Sequence, residues 1–167
     1  VESAPDVIIH AGDLSYGTGY ESEWDRWMEQ IEPLSTSAPY MTGQGNHERD
    51  FPGSGNSIGG TDSGGECGVP TQARFQMPVC PQPNDSPCIG IKQLSIPLEV
   101  STDNTGPTGS QNDGWYSFDQ GSAHFVMLNT EMRSDVNSTQ YRFVQNDLAS
   151  VNRSKTPWVL VFGHRQM

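Results

Sequence analysis

The sequence predicts an α/β fold in which sheets, at least partly parallel, are flanked by helices. Three observations predict it. Val7, Ile8 and Ile9 form an uninterrupted apolar run before Gly12-Asp13, the pattern of a strand buried on both faces of a parallel sheet. Tyr40-Met41-Thr42 and Trp158-Val159-Leu160-Val161-Phe162 lead in the same way into Gly45-Asn46-His47-Glu48 and Gly163-His164. Between such strands lie segments with apolar residues at helical spacing, as the crossover of a parallel pair requires.

The first strand is expected at about 6–11. His10 lies just before the Gly-Asp turn, where it can serve behind a site or as a hydrogen-bonded strand histidine. Thr18 and Glu21 match a capping box, which predicts a helix starting after Thr18. Trp24, Trp27, Met28 and Ile31 then recur on one face through 21–32. They read as packing against the sheet, with Glu23, Asp25 and Glu29 on the solvated face and Pro33 ending the helix. Residues 50–68 are a Gly/Ser-rich loop. Residues 80–113 read as an insertion, mobile or contributing a site rim, with strand-like alternation only at 89–96. A short strand is expected at 114–118 and a stronger one at 123–129, joined by the hairpin signal Asp119-Gln120-Gly121. Thr130 and Glu131 follow at a strand end. Tyr141, Val144, Leu148 and Val151 mark a helix near 138–152, and Pro157 opens the last strand.

Composition narrows the function. The formal net charge is -11, from 20 acidic and 9 basic residues. This argues against a polyanionic partner held by a basic surface, so nucleic acid is not an expected partner. No apolar run approaches the ~18 residues of a membrane span. Cys67, Cys80 and Cys88 lie in loop-like sequence without Cys-x-x-Cys spacing, so a zinc finger is not indicated. Two readings stand for them: unpaired thiols, or a Cys80–Cys88 disulfide with Cys67 pairing outside this segment. Sequons at Asn84, Asn137 and Asn152, the first weakened by Pro87, point towards the secretory pathway.

Three strand ends deliver Asp13, Tyr16, Asn46, His47 and His164. Open α/β sheets place their sites beyond the carboxyl ends of their strands. The two oxygens of Asp13 can each reach one ion. The Tyr16 phenol must lose its proton to bind a metal, which a trivalent ion favours. Asn46 and His164 offer an amide oxygen and an imidazole suited to a divalent ion. His47, beside Asn46, is placed to contact a phosphate or to protonate a leaving oxygen.

These residues carry a resemblance. Gly12-Asp13-Leu14-Ser15-Tyr16, Gly45-Asn46-His47-Glu48 and Val161-Phe162-Gly163-His164 resemble the GDxxY, GNHE and VxxH motifs of the purple acid phosphatases, within the calcineurin-like metallophosphoesterases. The stretches 45–50, 62–70 and 156–165 are similar to the large, plant-type branch. The resemblance covers 1–79 and 114–167, a partial catalytic domain truncated at both ends. It lacks the family's upstream Asp-x-Gly and downstream Gly-His-x-His.

The resemblance implies a metallophosphoesterase-type sandwich of sheets flanked by helices, preceded in the intact protein by a β-rich domain. It implies iron(III) on Tyr16, a divalent zinc, manganese or iron(II) on Asn46 and His164, Asp13 bridging both, and His47 as the catalytic acid or phosphate contact. Glu48, Arg49 and Arg165 are candidates for the site rim. The implied activity is hydrolysis of phosphoric monoesters by metal-bound hydroxide, on a small phosphorylated substrate, in a secreted or vacuolar glycoprotein. Two alternatives stand beside it: a phosphodiesterase or nucleotide pyrophosphatase with the same centre, and a non-catalytic glycoprotein. With four of seven family ligands present, the segment alone is expected to hold metal weakly and to be nearly inactive.

Overall fold

The computed structural model describes residues 4–78 and 114–166. Along them run β1 (Ile8–His10), α1 (Glu21–Ser35), β2 (Tyr40–Thr42), α2 (Asn46–Arg49), α3 (Val69–Arg74), β3 (Tyr116–Gln120), β4 (Ala123–Met127), α4 (Thr139–Ser150) and β5 (Trp158–Phe162). The expected insertion, its strand-like stretch, the Cys80–Cys88 disulfide and the Asn84 sequon lie outside the described residues.

β1 and β2 pair in parallel, with Ile8 opposite Tyr40 and His10 opposite Thr42. β3 pairs antiparallel with β4, and β4 in parallel with β5. The crossover between β1 and β2 is α1, as a parallel pair needs. The two sheets are joined by side chains. Tyr116 donates its hydroxyl to the Thr42 carbonyl at 2.9 Å, and Asn129 Nδ2 donates to Gln44 Oε1 at 3.0 Å. Burial pushes the Tyr116 phenol far above its ordinary range, so it stays a neutral donor.

The predicted stripe of α1 does pack inward. Trp24 and Ile31 join Leu14 and Phe75 in the core, with Trp27, Met28, Tyr40 and Met77 against them. The helix ends differ from expectation. Thr18 has φ +47°, in the left-handed region, and does not cap α1. Tyr20 is the N-cap and offers no side-chain bond; Glu21 and Glu23 face the positive end of the helix instead. Pro33 does not end the helix, which runs two residues further to Ser35. A proline disrupts the turn before it, not the residues after it.

Two further expectations change. β1 is half-buried, not buried on both faces, because β2 is its one partner among the described residues. α4 turns a polar face inward: Gln140 and Asp147 are buried, while Tyr141 and Leu148 are exposed. Hydrogen bonding overrides the apolar pattern here. Gln140 accepts from the Asn129 amide at 2.8 Å and donates to the Asn129 carbonyl at 3.0 Å. Asp147 accepts from Ser117 Oγ at 2.6 Å and bonds His124 Nε2 at 2.8 Å. The helix starts at a true cap, with Ser138 Oγ accepting from the Tyr141 amide. The single-turn α2 and the short α3 carry too few residues to show a period in sequence.

Candidate metal centre

The chain turns sharply after β1. Gly12, Asp13, Tyr16 and Thr18 all have positive φ, at +101°, +55°, +54° and +47°. Glycine adopts this region freely, but each non-glycine residue there costs about 1–3 kcal/mol. The strain sits in the loop that carries Asp13 and Tyr16. Glu48 holds it. Its Oε2 accepts from the Asp13 amide at 2.7 Å and from Gly45 at 2.8 Å, and its Oε1 accepts from Leu14 at 2.7 Å. One buried carboxylate thus pins the turn after β1 to the turn after β2. Burial pushes the Glu48 carboxyl up, and its three amide donors oppose that. Gly45 is needed at this junction, because a Cβ there would lie 2.3 Å from Asp13 Oδ1.

The predicted ligands converge. His164 Nε2 lies 3.0 Å from Asn46 Oδ1 and 3.2 Å from Asp13 Oδ1. On the other side of the same carboxylate, the Tyr16 hydroxyl donates to Asp13 Oδ2 at 2.9 Å. One ring proton on Nε2 can serve only one of its two facing oxygens, whereas a cation takes a lone pair from all three atoms. The donor set therefore fits metal: Asn46 and His164 gather at Oδ1 of Asp13, and Tyr16 at Oδ2. The Asp13 bond, more than any other influence, holds the Tyr16 phenol above its ordinary value. Only a strongly acidic cation would take it as phenolate. Among the described residues no group of three or more His, Cys, Asp or Glu side chains is placed to hold a metal. The centre here draws two of its four donors from Asn and Tyr.

The His47 ring packs against Tyr16 at a tilt of 47°, with ring centroids 4.3 Å apart, and its amide donates to Asp13 Oδ1 at 3.3 Å. Its Nδ1 is buried and has no hydrogen-bond partner. A buried polar atom left so is a mark of a site that expects a partner.

The other candidates stand elsewhere. His10 is a satisfied strand histidine: its Nδ1 meets the Tyr40 hydroxyl at 2.8 Å, and burial lowers its pKa. Glu48 and Arg49 are not on the rim but buried behind it, 1% and 2% exposed. Arg49 donates to the Cys67 carbonyl. Cys67 has no disulfide partner among the described residues, and burial pushes its thiol up. Arg165 is tied down beside His164. Its Nε donates to both oxygens of Glu131 at 2.8 and 2.9 Å, its Nη2 to Asp50 Oδ2 at 3.2 Å, and its amide to Thr130 Oγ1 at 2.9 Å.

Sequence reasoning gave no role to Asp50, Asp62 or Glu131. Asp62 accepts from Asn46 Nδ2 at 2.8 Å. Glu131 and Asp50 are 0% and 1% exposed. The available signal was weak: an acidic residue at the end of a buried strand, one at the start of the Gly/Ser-rich loop and one within it.

A family model described as Calcineurin-like phosphoesterase matches residues 1–167. "Probable inactive purple acid phosphatase 27" of Arabidopsis thaliana is 37% identical over 160 residues, which cover 96% of this chain and 21% of that protein. A "Nucleotide pyrophosphatase/phosphodiesterase" of Hordeum vulgare is 32% identical over 160 residues, 96% of this chain and 36% of that protein. The structure of purple acid phosphatase PPD1 from yellow lupin (Lupinus luteus) seeds matches with a TM-score of 0.73 at 39% identity, over 96% of this chain and 23% of that one. The chain thus spans about a fifth to just over a third of the length of these relatives. The mixed α/β architecture is that of the purple acid phosphatase fold. The chain belongs to the calcineurin-like phosphoesterase family, and its homologues include purple acid phosphatases.

Proposed function

We propose that the protein carrying this chain hydrolyses phosphoric monoesters at a binuclear centre of iron(III) and a divalent zinc, manganese or iron(II). One observation carries the reading: the two oxygens of Asp13 face different donors, Tyr16 at 2.9 Å on one side and His164 at 3.2 Å on the other. Two cations so placed supply Lewis acidity and a hydroxide available in mild acid. Asp13 would serve both cations, Tyr16 would hold the iron, and Asn46 and His164 would hold the divalent ion. Gly45 lets the backbone pass close under Asp13. His47 binds the phosphate or gives a proton to the leaving oxygen. An acidic chain suits a small phosphorylated substrate when metals provide the local positive charge. Exposed Asn137 and Asn152 in sequons favour a glycoprotein of the secretory pathway. No helix among the described residues is long and apolar enough to cross a membrane.

The Hordeum vulgare relative supports a second reading, in which the same centre cleaves phosphodiesters or nucleotide pyrophosphates. A panel of monoester, diester and nucleotide substrates, assayed at pH 5 with and without a chelator, separates them. Metal-dependent turnover greatest on monoesters is the expected result. Preference for diesters or nucleotides selects the second reading. No turnover on any substrate would leave the chain a binding module, in keeping with the name of the Arabidopsis thaliana relative.

A further inference from the structure

An asparagine side chain has two ends of similar shape and opposite hydrogen-bonding character, and what faces one end decides where the other points. Asn46 Oδ1 lies 3.0 Å from His164 Nε2, and Asn46 Nδ2 donates to Asp62 Oδ2 at 2.8 Å. An ionised carboxylate only accepts, so it admits the NH2 end of the amide and rejects the oxygen end. We infer that Asp62 is a positioning residue: it fixes the Asn46 amide so that its oxygen, not its NH2, faces His164 and Asp13.

The turn carrying Asp62 is anchored through its backbone, by bonds other than the one to Asn46 Nδ2. The Ser63 amide donates to the Asp50 carbonyl at 3.1 Å, and Ser63 is fully buried. Asp50 is itself held by Arg165 at 3.2 Å. Gly60 lets this turn lie close to Asp50, where a Cβ would stand 3.3 Å from Oδ2. Asp62 thus reaches Asn46 from backbone fixed to the same network that holds the residue after His164. Its effect falls on one side of the centre. Asp62 bonds Asn46, which meets His164 on the Asp13 Oδ1 side, whereas the Tyr16 hydroxyl is bonded to Asp13 Oδ2. Groups of this kind, which orient a ligand without touching the metal, alter metal affinity by about 10–100-fold when removed.

The inference rests on the binuclear reading above, and its test separates the two. Divalent-metal affinity is measured by chelator competition on the complete protein, alongside the visible absorption of the ferric site. Asp62→Ala is expected to weaken zinc binding by about 10–100-fold and to leave the ferric band unchanged. Asp62→Asn keeps an oxygen that can accept from Nδ2 and is expected to retain most of the affinity. The inference is overturned if Asp62→Ala binds zinc as the wild type does, or if it loses iron and zinc in parallel. It is overturned equally if Asp62→Asn loses as much as Asp62→Ala, since charge and not amide orientation would then be responsible. A wild-type protein that binds neither metal overturns the binuclear reading itself, a different result from any of these.

Discussion

The loop after β1 and the loop after β5 both end a parallel strand and both deliver a metal-type side chain, yet they are held in different ways. The first is strained, with Asp13, Tyr16 and Thr18 in the left-handed region. A single carboxylate, Glu48, fixes it through three backbone amides. The second shows no positive φ at 163–165 and is fixed through a side chain, the Arg165 guanidinium clamped by Glu131 and Asp50. A strained backbone persists only where its surroundings over-determine it, and amide donors aimed at one buried carboxylate do that. A relaxed loop needs only to be tethered.

This difference sets an order of sensitivity. Glu48→Ala leaves three amides without their charged acceptor and releases the strained turn. It should destabilise the protein by about 4 kcal/mol or more and abolish binding of both metals. Urea denaturation measures the first effect; a loss below ~1 kcal/mol would mean that the turn is held by something else. Glu131→Ala should cost less, about 1–3 kcal/mol, because the Arg165 side chain is 35% exposed and recovers hydration. Its signature is faster amide hydrogen exchange at Arg165, with Asp13 and Leu14 amides unaffected. Equal exchange at both loops would merge the two devices into one.

His124 offers a control away from both loops. It bonds Asp147 at 2.8 Å and Asp119 at 2.6 Å, bracing α4 against β3 and β4. Burial lowers its pKa, but the two carboxylates outweigh burial and the net shift is upward. A raised folded pKa means stability fully present below the unfolded value of about 6.5, and lost as pH rises through the folded one. His124→Gln should therefore cost about 1–2 kcal/mol at pH 5 and progressively less above neutrality, with metal content unchanged. Thermal melts across pH 5–8 check this; a cost that grows with pH would reverse the sign. Smallest of all is Glu21→Ala. Its ion pair with Arg74 is exposed on the Glu21 side, and Arg74 also lies 5.1 Å from the Trp24 ring. The expected change in denaturation midpoint corresponds to about 0.5 kcal/mol or less.

What sequence reading could reach follows from the same contrast. The strand ends were legible because apolar runs stop at Gly-Asp, Gly-Asn and Gly-His, and the converging side chains are those it named. The inward stripe of α1 was legible for the same reason, a period in apolar residues. The supporting carboxylates were not. Glu48 reads as a candidate for the site rim, whereas two of its partners are backbone amides 34 and 35 residues away. Glu131, Asp50 and Arg165 meet across three separate segments, and no local pattern announces that. α4 misled because Gln140 and Asp147 look like its outer face until Asn129 and His124 are brought beneath them. The capping box at Thr18 failed through backbone strain that its residue types do not reveal.

In the proposed centre Asp13 would serve two metals, with Tyr16 on the ferric side. Visible absorption with metal analysis on the complete protein tests it most directly. The expected result is a broad visible band, about one iron and one divalent ion per chain, and loss of the band in Tyr16→Phe. Bound metal with no such band, unchanged by that substitution, would contradict it. Tyr16 would then be a packing partner of His47, and the ferric half of the centre would have to be abandoned.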